Sequence, residues 1–202
     1  MKSKIILVVA ILSGISFTAL SQAQFALGLK GGVNLSKFDI KQGASNIDNR
    51  TGFNAGAFAL VKITSFGIQP EVLFSRQGST FTFNATNYEA NFDYITVPIL
   101  FKLYVPLGLN LQVGPQFSFL SVADLKRAAT GAADDPKTLK KQDYVLAVGA
   151  GWDLPFGLTI DARYNFGLSD IKVQPTSSTQ PIVLKNKVLQ VSIGYKLIKL
   201  GK

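Results

Sequence analysis

The chain has 202 residues, with 21 Lys and Arg against 12 Asp and Glu, a formal charge of +9, and neither Cys nor His. Without Cys there are no disulfide staples and no lipidated N-terminal Cys; without His the commonest general base and metal ligand is missing. The basic residues are scattered, in runs no longer than Lys140-Lys141, so the surplus reads as a basic surface facing an anionic membrane exterior and not as a nucleic-acid site.

Residues 1–23 read as an export signal. Lys2 and Lys4 precede the apolar run from Ile5 to Ile11, and Ser21 and Ala23 place small residues at positions −3 and −1 of a cleavage site. The run is short and broken by Ser13, Gly14 and Ser16, which argues against a spanning helix. Cleavage after Ala23 leaves residues 24–202 as one domain, in which 19 basic residues stand against 12 acidic, a net charge of +7.

From there the chain alternates with period two, the mark of strands whose two sides meet different environments. In the first strand Phe25, Leu27, Leu29, Val33 and Leu35 share one face, and Ala26, Gly28, Lys30, Gly32, Asn34 and Ser36 take the other. After a polar loop at 38–50, Phe53, Ala55, Ala57, Ala59, Val61 and Ile63 face outward, opposite Gly52, Asn54, Gly56, Phe58, Leu60 and Lys62. A short turn at 64–67 leads to a third strand with Ile68, Pro70, Val72 and Phe74 out, and Gln69, Glu71, Leu73, Ser75 and Gln77 in. The next polar connection, 78–90, contains Phe81 and Phe83, which suggest that the strand pair continues beyond the membrane.

The fourth strand turns Ile95, Val97, Ile99, Phe101, Leu103 and Val105 outward, and Tyr94, Thr96, Pro98, Leu100, Lys102 and Tyr104 inward. Pro98 lacks a ladder donor, and a bulge is expected there. The turn Val105-Pro106-Leu107-Gly108 leads into a fifth strand, in which Leu107, Leu109, Leu111, Val113, Phe117 and Phe119 oppose Gly108, Asn110, Gln112, Gly114, Gln116 and Ser118. Residues 122–141 form the longest loop.

The clearest hairpin follows at 142–170. Tyr144, Leu146, Val148, Ala150 and Trp152 oppose Asp143, Ala147, Gly149, Gly151 and Asp153; after the turn Leu154-Pro155-Phe156-Gly157, Leu158, Ile160, Ala162, Tyr164, Phe166 and Leu168 oppose Thr159, Asp161, Arg163, Asn165 and Gly167. A Ser/Thr/Pro-rich loop at 170–184 precedes the last strand, with Leu189, Val191, Ile193, Tyr195 and Leu197 out and Gln190, Ser192, Gly194 and Lys196 in.

Eight strands joined alternately by long loops and tight turns, with an unbroken apolar face, give an all-β fold: an eight-stranded antiparallel up-and-down transmembrane β-barrel in the outer membrane. The long loops then face outside and both termini the periplasm. A lipocalin-like soluble barrel would need the apolar face turned inward. An eight-stranded barrel has an interior that side chains just fill. Its charges here are Lys30, Glu71, Lys102, Asp153, Asp161 and Arg163, expected to pair in a network centred on Glu71, Asp161 and Arg163. No catalytic, cofactor or metal constellation is legible: a Ser or Asp nucleophile has no His to serve it, and Asp134-Asp135 lies in a loop without calcium-loop spacing.

The segments Gly28–Phe38, Phe66–Gly78, Tyr94–Tyr104, Val113–Leu120 and Arg163–Ile171 together resemble the PorT-type outer-membrane β-barrel family across essentially the whole mature chain. The most specific pieces are Lys30-Gly31-Gly32 with Asn34, Gln69-Pro70-Glu71, and Tyr94-Ile95-Thr96-Val97-Pro98. The resemblance implies an outer-membrane barrel of Gram-negative bacteria, some relatives being structural components of the type IX secretion machine; it carries over no catalytic residues. The expected role is structural or protein-interacting, for a monomer whose contacts are outer-membrane lipid and, through the long loops, other envelope or secretion proteins. The alternative is a transport barrel for small solutes or ions, against which Phe58, Leu60, Leu73, Tyr94 and Leu100 point inward and narrow the lumen.

Overall fold

Alternation over so many consecutive segments leaves few ways to satisfy the backbone except by closing a sheet on itself. A computed structural model describes residues 23–40, 45–83, 86–127, 142–169, 171–173 and 182–201. The expected leader lies outside these residues, except for Ala23, the first residue of the first strand.

The strands are β1 (Ala23–Ile40), β2 (Ser45–Ile63), β3 (Phe66–Phe83), β4 (Thr86–Tyr104), β5 (Leu109–Arg127), β6 (Gln142–Asp153), β7 (Leu158–Gly167), β8 (Ile171–Val173) and β9 (Ile182–Leu200). Each pairs antiparallel with its neighbour, and β1 closes on β9 from Phe25–Leu200 to Ile40–Leu184. The three-residue β8 pairs with β9 beyond the end of β7, so eight staves form the closed barrel.

Burial inverts the rule for a soluble protein. Apolar residues of the outer face are exposed, Leu29 by 55% and Leu111 by 61%, while Asn34, Ser36, Glu71 and Arg163 on the other face are all but fully covered. Only an apolar solvent around the barrel makes both halves of that pattern favourable. Outward aromatics gather at two levels: Phe66, Phe101, Trp152 and Tyr195 toward the short turns, and Phe53, Phe74, Phe117, Tyr144 and Tyr164 toward the opposite rim. These are the interfacial girdles of a membrane barrel.

The strands run longer than expected at the rim. Residues 38–40 and 45–50 belong to β1 and β2, and β3 and β4 continue to Phe83 and from Thr86, so the expected loops at 38–50 and 78–90 are largely paired strand. The continuation suggested by Phe81 and Phe83 is present. β5 extends to Arg127, and the rest of the expected 122–141 loop lies outside the described residues. The alternation that marks a strand fades where both faces are polar, although the backbone still pairs.

The bulge expected at Pro98 is absent. Pro98 faces Gln116 and Phe101 faces Val113 in one unbroken register; the shift lies higher, where Asp93 faces Val122 and Tyr94 faces Leu120, leaving Ser121 as the extra residue. A missing N–H removes a bond from the ladder without adding a residue to either strand, so it need not move the register. At the short-turn end Thr64, Leu107, Gly108 and Gly157 adopt positive φ. Leu107 belongs to the turn and not to the fifth strand.

Candidate functional site in the barrel interior

Inward positions from different staves converge because closure brings strands that are distant in sequence across one narrow lumen. Lys30 on β1 donates through Nζ to Glu71 Oε1 of β3 at 3.1 Å and to Asp161 Oδ2 of β7 at 2.6 Å. Arg163, one inward position along β7 from Asp161, forks onto Glu71 Oε2 with both terminal nitrogens, at 3.0 and 2.9 Å. Gln69 donates to Glu71 at 2.7 Å and Gln112 to Asp161 at 2.8 Å, giving the carboxylates further donors. Glu71, Asp161 and Arg163 therefore lie together. Lys30 is the group that joins the two carboxylates.

A second cluster sits nearer the short turns. Asp153 accepts from Tyr104 Oη at 2.9 Å and from Lys196 Nζ at 2.8 Å. Lys102 stands between the clusters, its Nζ 3.6 Å from Asp153 Oδ1 and 3.9 Å from Asp161 Oδ1. It is fully covered and makes no hydrogen bond. Four cations thus meet three carboxylates. Charges in a low-dielectric wall persist when paired and hydrogen-bonded in this way. Lys196 and Tyr104 were legible as inward positions, but nothing in the sequence tied them to Asp153.

Long charged side chains need room, and glycine supplies it. Lys30 lies between Gly56 on one neighbouring strand and Gly194 on the other, and Arg163 lies opposite Gly149. A Cβ at Gly149 would come within 2.7 Å of Arg163 Cγ, and one at Gly194 within 3.1 Å of Lys30 Cβ. These glycines are a signal that a reading by face alone passes over: a glycine beside a charge marks where that charge lies down across the lumen.

Toward the other rim the filling is mostly neutral, with Asp143 and Asp93 as its buried carboxylates. Asn34 donates to Ser75 Oγ at 3.0 Å, Asn54 to Asn34 Oδ1 at 2.9 Å, and Ser192 to Asn54 Oδ1 at 3.1 Å. Phe92 and Tyr94 are buried toward this rim, with ring centroids 6.4 Å apart, while Phe58, Leu73 and Leu100 are buried at the level of Glu71 and Leu60 toward the short turns. Such an interior cross-links strands; each carboxylate of the two clusters is already engaged by a cation.

A family model described as outer membrane protein beta-barrel domain matches residues 20–173. The chain belongs to this outer-membrane β-barrel family. Its members' location, the outer membrane, agrees with the apolar girth and aromatic girdles of this barrel. Among solved structures, the barrel is similar to Neisserial surface protein A, at 11% identity over 85% of this chain and 97% of that one, with a TM-score of 0.53. It is also similar to Ail, the attachment invasion locus protein of Yersinia pestis, at 14% identity over 89% of this chain and 99% of that one, with a TM-score of 0.51. At such identities the likeness is one of fold. No curated protein matches the chain.

Proposed function

We propose that this outer-membrane barrel is a closed structural or protein-interaction module of the cell surface, not a conduit. The observation that supports this reading is the filled lumen: the Lys30–Glu71–Arg163 and Lys30–Asp161 pairs cross it, and Leu73 and Leu100 are almost completely covered. With the interior occupied by its own side chains, the working surface is the rim opposite the short turns, where β1 to β5 continue past the outer aromatic girdle. In this reading the rim and its connections meet envelope or secretion proteins, as in the PorT-type barrels whose motifs the chain resembles. The protein is a monomer with no enzymatic activity and is exported by a leader cleaved after Ala23.

Planar-bilayer recording on the refolded mature chain tests the reading. No steady conductance above leak is expected; a stable open level in the wild type would overturn it in favour of transport of small solutes or ions. Pull-downs from envelope extracts, with the 128–141 connection deleted as a control, address the interaction role. N-terminal sequencing of membrane-inserted protein should begin at Gln24.

A further inference from the structure

The short-turn end of the barrel carries a basic cavity that neither the ion-pair network nor the rim accounts for. It measures about 270 Å³ and is walled by Lys62, Lys196 and Lys199, with Asp153 on its floor and Leu60 and Ala26 along its side. A local irregularity builds it. Across the β1–β9 seam Leu27 faces Ile198 while Gly28 faces Lys196, which leaves Leu197 as an extra residue in β9. In an unbroken register Lys199 would pair with the lipid-facing Phe25; with the bulge, Lys199 pairs with Ala26, an inward position that is 4% exposed. Bulges commonly re-aim a side chain in this manner.

Among the described residues the charges of the cavity do not balance. Asp153 is the carboxylate of the cavity wall, and it is already committed to Lys196, Tyr104 and the buried Lys102. Lys199 reaches a backbone carbonyl, that of Pro155, at 3.1 Å, crossing the β6–β7 turn where Gly157 leaves space for it. Lys62 lies 4.2 Å from the centroid of the Tyr104 ring, a contact that holds the ammonium without neutralising it. Gln24 of β1 pairs with Lys62 on one side, while Ala26 pairs with Lys199 on the other, so the two lysines flank β1 two strand spacings apart across it and two residues apart along it, their backbones roughly 12 Å from each other. A recess between low-dielectric walls concentrates the field of such a surplus.

We propose that this mouth binds a phosphate group presented from the periplasmic side. Lys62 and Lys199 supply the charge from its two sides, and Lys196 supplies it from the floor while remaining paired with Asp153. Lysine ammonium groups serve phosphate as point charges without demanding a planar fork. The volume admits a phosphate with a small organic headgroup and is too small for a folded partner. The phosphate can come from an inner-leaflet phospholipid headgroup or from a soluble phosphomonoester, and both sources share this chemistry.

The test uses the mature chain in neutral detergent, with glycerol 3-phosphate as the probe, read by calorimetry and by phosphorus NMR. Saturable binding that weakens with salt is expected, falling roughly tenfold in the Lys62→Gln/Lys199→Gln double variant, from the combined loss of two partly exposed charges. Arg76→Gln, at the opposite rim, should bind as the wild type does. Lys199→Gln alone, a change at an exposed residue, should give an intermediate loss and guards against a folding defect in the double variant. Repeating the titration in nanodiscs separates the sources. Probe binding blocked by phosphatidylglycerol but not by phosphatidylcholine identifies the lipid headgroup; binding unaffected by either identifies the soluble ligand. No saturable binding in detergent, or equal binding by wild type and double variant, overturns the proposal. Neither result depends on whether the lumen conducts or the rim finds a partner.

Discussion

On the short-turn side the lumen is held by ion pairs among β1, β3, β4, β6, β7 and β9; toward the rim it is held mostly by amides and hydroxyls of Asn34, Asn54, Ser75 and Ser192. Both halves bury polar groups, yet the consequence of losing one differs. A neutral group that loses its partner forfeits one hydrogen bond and some desolvation energy. A charge that loses its partner stays behind as an uncompensated ion in a dry wall. The charged half should therefore break sharply and the neutral half should yield gradually.

The largest expected effect comes from Arg163→Ala, which strips Glu71 of its two-pronged partner. Such a loss typically costs about 3–5 kcal/mol, read as a lowered heat-modifiability midpoint on gels. Adding Glu71→Gln to that variant should recover part of the loss, since the stranded charge is gone; a double variant as unstable as the sum of the singles would contradict pairing. Next is Gly149→Ala, whose Cβ would meet Ala162 O and Arg163 Cγ. An overpacking cost of about 1–3 kcal/mol is expected in urea unfolding. In the neutral half, Asn34→Ala should cost about 1–3 kcal/mol, because it leaves Asn54 and Ser75 short of a partner. A neutral-half loss exceeding that of Arg163→Ala would reverse the comparison. Smallest of all, Arg50→Gln removes a pair with Glu89 whose side chains are 34% and 41% exposed, and should leave the midpoint unchanged within error.

How much of this is legible in the sequence depends on what each side of a strand touches. Between the girdles, lipid on one side and a polar lumen on the other write an alternation that fixes the inward set, Lys30, Glu71, Lys102, Asp153, Asp161 and Arg163 included. Beyond the outer girdle the period-two apolar pattern stops, so nothing in residues 38–40 and 45–50 marks them as strand. Partner choice was hidden for another reason. Glu71 and Arg163 are 92 residues apart, and which cation reaches which carboxylate depends on strand stagger, which face alternation does not contain. Lys199 shows the same limit in small: read by parity it faces lipid, and one extra residue at Leu197 turns it into the mouth.

The seam between β1 and β9 joins the first and last staves of the chain, and Lys30 stands on it, paired with Gly194 across the seam. Its carboxylate partners lie on β3 and β7, so their mutual neutralisation needs β1 in its final place beside the last strand. During assembly the network can thus be completed only when the cylinder shuts. Until then Glu71 and Asp161 face an unfinished lumen without their shared cation. A half-built barrel therefore carries an electrostatic penalty that the closed one does not, and closure becomes the step that makes the whole chain cooperative.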